Sequence, residues 1–447
     1  MAQSAQTVIE YKIVNFFDGA APRVVPRDLD IGKLPAPDYN NRVVIVSGMR
    51  RSGKTFYLYQ KIEELQRRGV DRRRMLYFNF DDDRLINCGD SLLDDVLETF
   101  YHLSPEARAE GAYFFFDEIQ EVENWGMFLR RVVDTEKATI VVTGSSSKLL
   151  SADIATEFRG RSITYELLPL SFAETLRFAG EEVASDSPST SVEASARSSA
   201  FDRYLERGGF PDVQDDDEQV AVSVLQGYAR DTVVRDVIER YGMNNVTGSL
   251  WFATRAIASS GRTLSVTKLA QTAKSMHVTL SRPTMYDLLA RFEEAHLLFR
   301  VRDFTRALST STSQWKVYAV DPGLFRAMSP APSQDVGQAL ETAVYLDLRR
   351  RLRSFRNGTI SCYRTEDGRE VDFIVGDAAG LVPYELVQAS VSLDDARTRE
   401  REVQALARAC DECGLDRGTI VTLREEDQLQ VNGIAIGVVP AWKWALR

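Results

Sequence analysis

Residues 42–55 read RVVIVSGMRRSGKT. Val43, Val44, Ile45 and Val46 form a short unbroken apolar run, the signature of a strand buried on both faces. Gly48 and Gly53 follow, and Lys54 opens a helical periodicity that runs to Arg68. A strand, a glycine-containing loop and a helix start are the context that GxxxxGK[ST] requires. The glycines let the backbone wrap closely enough for its N–H groups to face phosphate oxygens. The helix start adds the positive end of its dipole. Gly48, Met49, Arg50, Arg51, Ser52, Gly53, Lys54, Thr55 and Phe56 are therefore the candidate nucleotide-binding residues. Lys54 should reach the β- and γ-phosphates, and the Thr55 hydroxyl should serve Mg²⁺.

Outward from this loop the pattern alternates. MLYFNFDD (75–82), AYFFFDE (112–118) and TIVVTGSSS (139–147) read as further strands. Between them, SLLDDVLETFYHL (91–103) and WGMFLRRVVDT (125–135) read as helices. Continuous apolar strands separated by helices predict a parallel sheet covered on both faces, an α/β core.

The run into Asp117 and Glu118 is the second motif. An acid ending a buried strand beside a phosphate loop can hold Mg²⁺, which assigns Asp117 with Thr55 to the metal. The next residue, Glu118, can orient and deprotonate an attacking water. At the fourth strand, Ser145 or Thr143 can bond a γ-phosphate or that water. Arg159 and Arg161 are candidates for stabilising developing charge, in cis or from a neighbouring subunit. Asp81 and Asp82 end the second strand and could assist the metal. Glu118, Lys54, Ser145 and Arg161 make up the expected catalytic set.

The 447 residues suggest two to four domains. Apolar residues make up 44% and charged residues 27%, which excludes collagen, a long coiled coil and a wholly disordered chain. The longest apolar runs, such as 43–46 and 113–116, fall far below the roughly 18 residues of a membrane span. MAQSAQTVIEYK lacks a signal peptide's basic head and apolar core, so a cytosolic protein is expected. Cys88, Cys362, Cys410 and Cys413 are too few for a disulfide framework. The lone CxxC has no second Cys or His pair to complete a zinc site.

EEVASDSPSTSVEASARSS (181–199) lacks large apolar residues and reads as a flexible linker or loop. The net charge of −10 argues against general nucleic-acid affinity, yet residues 251–330 hold 11 Lys/Arg against 5 Asp/Glu. Within them, 263–304 read as a winged helix-turn-helix whose wing is LLFRVRDF with the later KVYAVD. Lys274, Arg282, Arg291, Arg300 and Arg302 are the candidate DNA contacts. A protein-docking role for the same module stays open.

The chain resembles the bacterial and archaeal AAA-type P-loop ATPases that carry a C-terminal winged-helix and restriction-endonuclease-like region. The resemblance rests on GMRRSGKT, YFNFDDDRL, YFFFDEIQ with Trp125, TGSSSKLL, FRGRSITYELLPLSFAE and GGFP. In the second half it rests on VYAVDPGL, ETAVYLDLRRR, GREVDFIV and YELVQAS. It implies a P-loop NTPase parallel sheet, a helical subdomain, a winged helix and a nuclease-like α/β domain, with ATP and Mg²⁺ as ligands. The expected boundaries are a lead-in over 1–35 with short strand-like pieces, an ATPase core over 36–178 and the linker over 179–200. A helical subdomain over 201–250, a winged helix over 251–332 and the nuclease-like domain over 333–447 follow. In the last, Glu341, Asp372 and Glu385 are the acids such a fold uses. A metal-dependent nuclease also needs a lysine two residues after the last acid. Val387 stands there, so these acids are expected to be a non-cleaving remnant.

Three functions follow as expectations. The first is an ATPase whose nucleotide state governs DNA binding. The second is an ATP-dependent switch that recruits a protein partner. The third is an ATP-regulated nuclease. A homo-oligomer would follow if an arginine acts in trans, and no membrane partner is expected.

Overall fold

The computed structural model describes residues 5–85, 89, 91–144, 158, 160–181, 190–306, 315–330, 335–355 and 357–447. Two compact units result, residues 1–167 and 168–447.

In the first unit, β1 (Val43–Ser47), β2 (Met75–Asn79), β3 (Ala112–Asp117), β4 (Ala138–Gly144) and β5 (Ser162–Glu166) form one sheet in the order β2-β3-β4-β1-β5. All its pairings are parallel. Every residue of β1, β3 and β4 is buried, as strands covered on both faces must be. Alternation sends Phe114 and Phe116 to one face, against helices Leu92–Leu103 and Trp125–Thr135. Tyr113 and Phe115 face the other side, with Tyr57, Leu58 and Ile62 of helix Lys54–Arg67. Because the sheet is parallel, the loops after β1, β3 and β4 emerge at one edge, where ligands of open α/β sheets bind.

The lead-in differs from its sequence reading. It begins with a helix, Ala5–Asp18, not with strand-like pieces. Val8, Ile9, Ile13 and Phe16 recur at helical spacing and are buried in the core. Residues 20–35 then run without regular structure, and Leu29 and Ile31 offer their carbonyls to Tyr57 and Tyr165.

In the second unit, residues 190–199 depart from the expected linker. Ser191–Arg207 is a helix opened by a capping box in which Thr190 and Glu193 bond each other's backbone N–H. Residues 182–189 of the expected linker lie outside the described residues. The helices Val246–Ile257, Val266–Ser275 and Arg282–Glu294 accompany a three-stranded sheet of β6 (Arg262–Leu264), β7 (Leu298–Val301) and β8 (Trp315–Ala319), ordered β6-β8-β7. An additional α/β layer follows. Its strands are β9 (Thr359–Arg364), β10 (Glu370–Asp377), β11 (Val382–Ser390), β12 (Arg417–Thr422), β13 (Asp427–Val431) and β14 (Ile434–Pro440), in the order β13-β14-β12-β11-β10-β9. Helices Val336–Arg351 and Ala396–Cys413 pack with it.

The sequence motifs GGFP and VDPGL meet in this unit. Asp321 caps helix Pro322–Met328 through Leu324 N–H at 2.9 Å and accepts Gly209 N–H at 2.6 Å. Gly208 has φ +74, and a Cβ there would lie 1.9 Å from Asp321 Oδ1, so only glycine permits the approach. Among the described residues no helix is long and apolar enough to cross a membrane.

Candidate functional site

The loop after β1 closes on itself. Gly53 holds φ 94, a left-handed turn that starts helix Lys54–Arg67. A Cβ on Gly48 would fall 2.2 Å from the Leu167 carbonyl oxygen, so the loop lies flat against the chain leaving β5. Lys54 is buried and its Nζ donates to the Gly48 and Met49 carbonyls, each at 3.1 Å. The same nitrogen stands 3.4 Å from Glu118 Oε1.

Asp117 ends β3 and is fully buried. Its carboxylate accepts from Thr55 Oγ1 at 2.7 Å and from the Tyr77 hydroxyl at 2.9 Å. Thr143 at the end of β4 donates to the other oxygen and itself accepts the Glu118 N–H at 3.2 Å. Burial raises the Asp117 pKa and the Glu118 charge raises it further, while the three hydroxyls oppose both. For Glu118 burial also raises the pKa, but Lys54, Gln120 and Arg50 outweigh it and hold the carboxyl below the ordinary glutamate value. Glu118 has φ 51, a left-handed conformation rare for a non-glycine residue.

These residues suit a nucleotide with Mg²⁺. Thr55 and Asp117 present hard oxygens side by side, the donor type that Mg²⁺ prefers. The Ser47 and Ser52 hydroxyls at the loop are buried without a protein hydrogen-bond partner.

The other predicted residues divide. Met49 and Ser52 are buried, whereas Arg51 and Phe56 are exposed. Arg50 leans toward Glu121 at 3.3 Å and Asp81 at 4.0 Å. Asp82 turns away from the loop, paired with Lys12 at 2.6 Å and Arg84 at 2.8 Å. Ser145 and Arg159 lie outside the described residues. Arg161 is a correction to the reading in cis. It precedes Ser162, whose partner is Val43, so it stands at the start of the parallel strands, the opposite edge from the loop. There it bonds Asp134 and, at 2.9 Å, Asn40.

Sequence reasoning missed Tyr77 and Arg27. Tyr77 could have been found from the alternation of β2, which sends residues 77 and 79 to one face at the strand's end. Arg27, buried in the irregular lead-in, donates to the Ser52 carbonyl at 2.7 Å and brackets Gln60 through its backbone. No local signal announces it.

The five expected DNA contacts do not behave alike. Lys274 and Arg282 are exposed, and Arg282 reaches Thr267 at 2.8 Å. Arg291 bonds Glu294 at 2.9 Å and lies over the Tyr241 ring. Arg300 bonds Glu293 at 2.6 Å and, like Arg302, lies over Trp315.

The terminal acids also separate. Glu341 and Asp372 converge, each within 2.8 Å of Lys316 Nζ. Glu385 does not join them. Glu385 pairs with Val375, three residues along β10 from Asp372, and β10 is irregular between Val371 and Ile374, where Asp372 lies. Glu385 instead experiences Arg351, Arg447 and Asp347.

Residues 40–176 match the family model of an AAA domain. Residues 198–335 and 336–444 match two domains of unknown function. An uncharacterized protein of Methanocaldococcus jannaschii, MJ1544, is 32% identical over 432 residues, 95% of this chain and 91% of that one. The chain belongs to a family of AAA-domain proteins. An uncharacterized protein of Haemophilus influenzae is another relative of this AAA protein, 28% identical over 90% of this chain and 94% of its own. Among solved structures, the Walker-type ATPase PABY2304 of Pyrococcus abyssi aligns with 73% of this chain and 96% of its own at 14% identity and a TM-score of 0.40.

Proposed function

We propose that the AAA domain binds ATP with Mg²⁺ at the loop over 48–55 and hydrolyses it, and that the nucleotide state governs DNA binding by the second unit. The observation that carries the ATPase reading is the convergence of Lys54 and Thr55, from the start of a helix, with Asp117 and Glu118, from the end of β3. In this reading the loop N–H groups and Lys54 hold the β- and γ-phosphates, and Lys54 exchanges the Gly48 and Met49 carbonyls for phosphate oxygens. Thr55 and Asp117 hold Mg²⁺, which neutralises charge on the phosphates. Glu118, ionised at neutral pH, accepts a proton from the attacking water. Gly48, Met49, Arg50, Arg51, Ser52, Gly53, Lys54, Thr55 and Phe56 remain the proposed nucleotide set.

Support for the DNA reading comes from residues 240–286, which contain no Asp or Glu but include Arg240, Arg255, Arg262, Lys268, Lys274 and Arg282. Lys268, Lys274 and Arg282 are exposed among Thr and Ser hydroxyls, donors suited to phosphate oxygens. A winged-helix role for helices Val266–Ser275 and Arg282–Glu294 fits that surface. The commitment of Arg291 and Arg300 to Glu294 and Glu293 favours the second reading, a protein partner, because it shortens the list of free cations.

The test is steady-state ATP hydrolysis by wild type and Glu118→Gln, each with and without duplex and single-stranded DNA. Stimulation by DNA that vanishes in Glu118→Gln supports both halves of the proposal. Hydrolysis indifferent to every DNA favours the protein partner. No hydrolysis by wild type rejects the ATPase reading.

A further inference from the structure

The second unit buries a charged cluster that the nucleotide reading leaves unused. Lys316 Nζ of β8 lies 2.7 Å from Glu341 Oε1, 2.8 Å from Asp372 Oδ1 and 3.4 Å from Glu370 Oε1. The Tyr318 hydroxyl donates to the same Glu341 oxygen at 2.7 Å. The second Asp372 oxygen accepts the Ala389 N–H at 3.1 Å. Gln388 accepts the Asp372 N–H at 3.0 Å and donates its amide to Glu402 at 2.8 Å. The Lys316 side chain is only 6% exposed.

The nuclease-like resemblance implies a divalent ion held by acids on this sheet. The residues present do not fit one. Oxygen ligands with unshared lone pairs are what Mg²⁺ or Mn²⁺ requires. Glu385 stands opposite Val375, three residues along β10 from Asp372, and the Gln388 amide oxygen beside Asp372 is already bonded. Among the described residues no three acid, His or Cys side chains converge as metal ligands. The centre of the carboxylates is filled instead by an ammonium. A lysine head is a compact point charge with three donors, and here each donor has an acidic partner.

We infer that the Lys316 ammonium is the resident cation of the Glu341–Asp372 cluster, occupying the place of a divalent metal, so that this sheet binds no metal there and cleaves no nucleic acid. Glu370 and Asp372 face the ammonium together with Glu341, whose carboxyl burial and the Asp372 charge push up to about 8. The cation also clasps β8 of the three-stranded sheet to β10 of the six-stranded one. The inference is independent of the phosphate loop.

Mn²⁺ binding to the full chain, followed by electron paramagnetic resonance, tests it, because the phosphate loop contributes equally to every variant. Wild type should show no Mn²⁺ site that depends on Asp372. Lys316→Met should gain one equivalent of bound Mn²⁺, and Lys316→Met/Asp372→Asn should lose it again. Lys316→Met that is folded by circular dichroism yet gains no site overturns the inference. Where Lys316→Met does not fold, Glu341→Gln carries the test, since it keeps the side chain's shape while removing a carboxylate ligand. Its Mn²⁺ isotherm should match wild type, and loss of a site overturns the inference. Mn²⁺-dependent plasmid cleavage by wild type that disappears in Asp372→Asn overturns it as well.

Discussion

Lys54 Nζ and Glu118 Oε1 face each other at 3.4 Å, both side chains largely buried. Lys54 helps hold the Glu118 carboxyl below its ordinary value, and a nucleotide must share Lys54 between Glu118 and its phosphates. Glu118→Gln removes the proton acceptor while leaving Lys54 and the loop in place. Turnover should fall by about 10²-fold or more, with nucleotide affinity retained or improved. Single-turnover hydrolysis and fluorescent-nucleotide titration read the two quantities, and near-wild-type turnover rejects the assignment.

Asp117 is held by hydroxyls from three different elements, Thr55, Tyr77 and Thr143. Thr143→Val strips one donor from a buried carboxylate without changing side-chain shape. Stability should drop by about 1–3 kcal/mol. The Mg²⁺ concentration for half-maximal turnover should also shift, because Asp117 loses its orientation. An unchanged Mg²⁺ dependence would show that Thr143 supports the fold alone.

Asp321 joins GGFP to the following helix while fully buried. Burial pushes its carboxyl up to about 6 from 3.8, against the bonds it accepts from Gly209 and Leu324. The folded chain then holds a proton that the unfolded chain releases between those values. Stability carried by this group is present below about pH 4, declines as pH rises toward about 6 and stays lost above it. The decline is about 3 kcal/mol at most. Urea midpoints of wild type, referenced to Asp321→Asn, should move against wild type across that window. A gap that does not change with pH contradicts this.

Lys274 and Arg282 are the exposed members of the expected DNA set. Lys274→Ala or Arg282→Ala should weaken DNA binding about equally for all sequences. Each should also reduce the slope of log affinity against log salt by about 1. Binding that is indifferent to both substitutions, or to salt, assigns this surface to a protein partner.

The phosphate loop and its acids were legible because their signal is local. Four apolar residues, two glycines and GKT specify a buried strand, a tight turn and a helix start within 14 residues. The motif YFFFDE likewise carries its own strand and its own terminal carboxylates. The helix over Ala5–Asp18 was equally written in the spacing of Val8, Ile9, Ile13 and Phe16. Helix Ser191–Arg207 was obscured by its composition, because its first turns bury little and rest on the Thr190 and Glu193 cap.

Only the tertiary structure decided the rest. Arg161 follows the phosphate loop closely in the sheet, yet strand direction puts it at the far edge. Glu385 carries the right chemistry, but strand pairing sets it opposite Val375, three residues along β10, and leaves Gln388 beside Asp372. Lys316 is 56 residues from Asp372 along the chain and within hydrogen-bond reach of it in the fold. Sequence by itself therefore determined the elements and the loop chemistry, which depend on neighbours along the chain. Which charges meet depended on strand order and register, because a side chain's partner across a sheet is fixed by pairing and not by proximity in sequence.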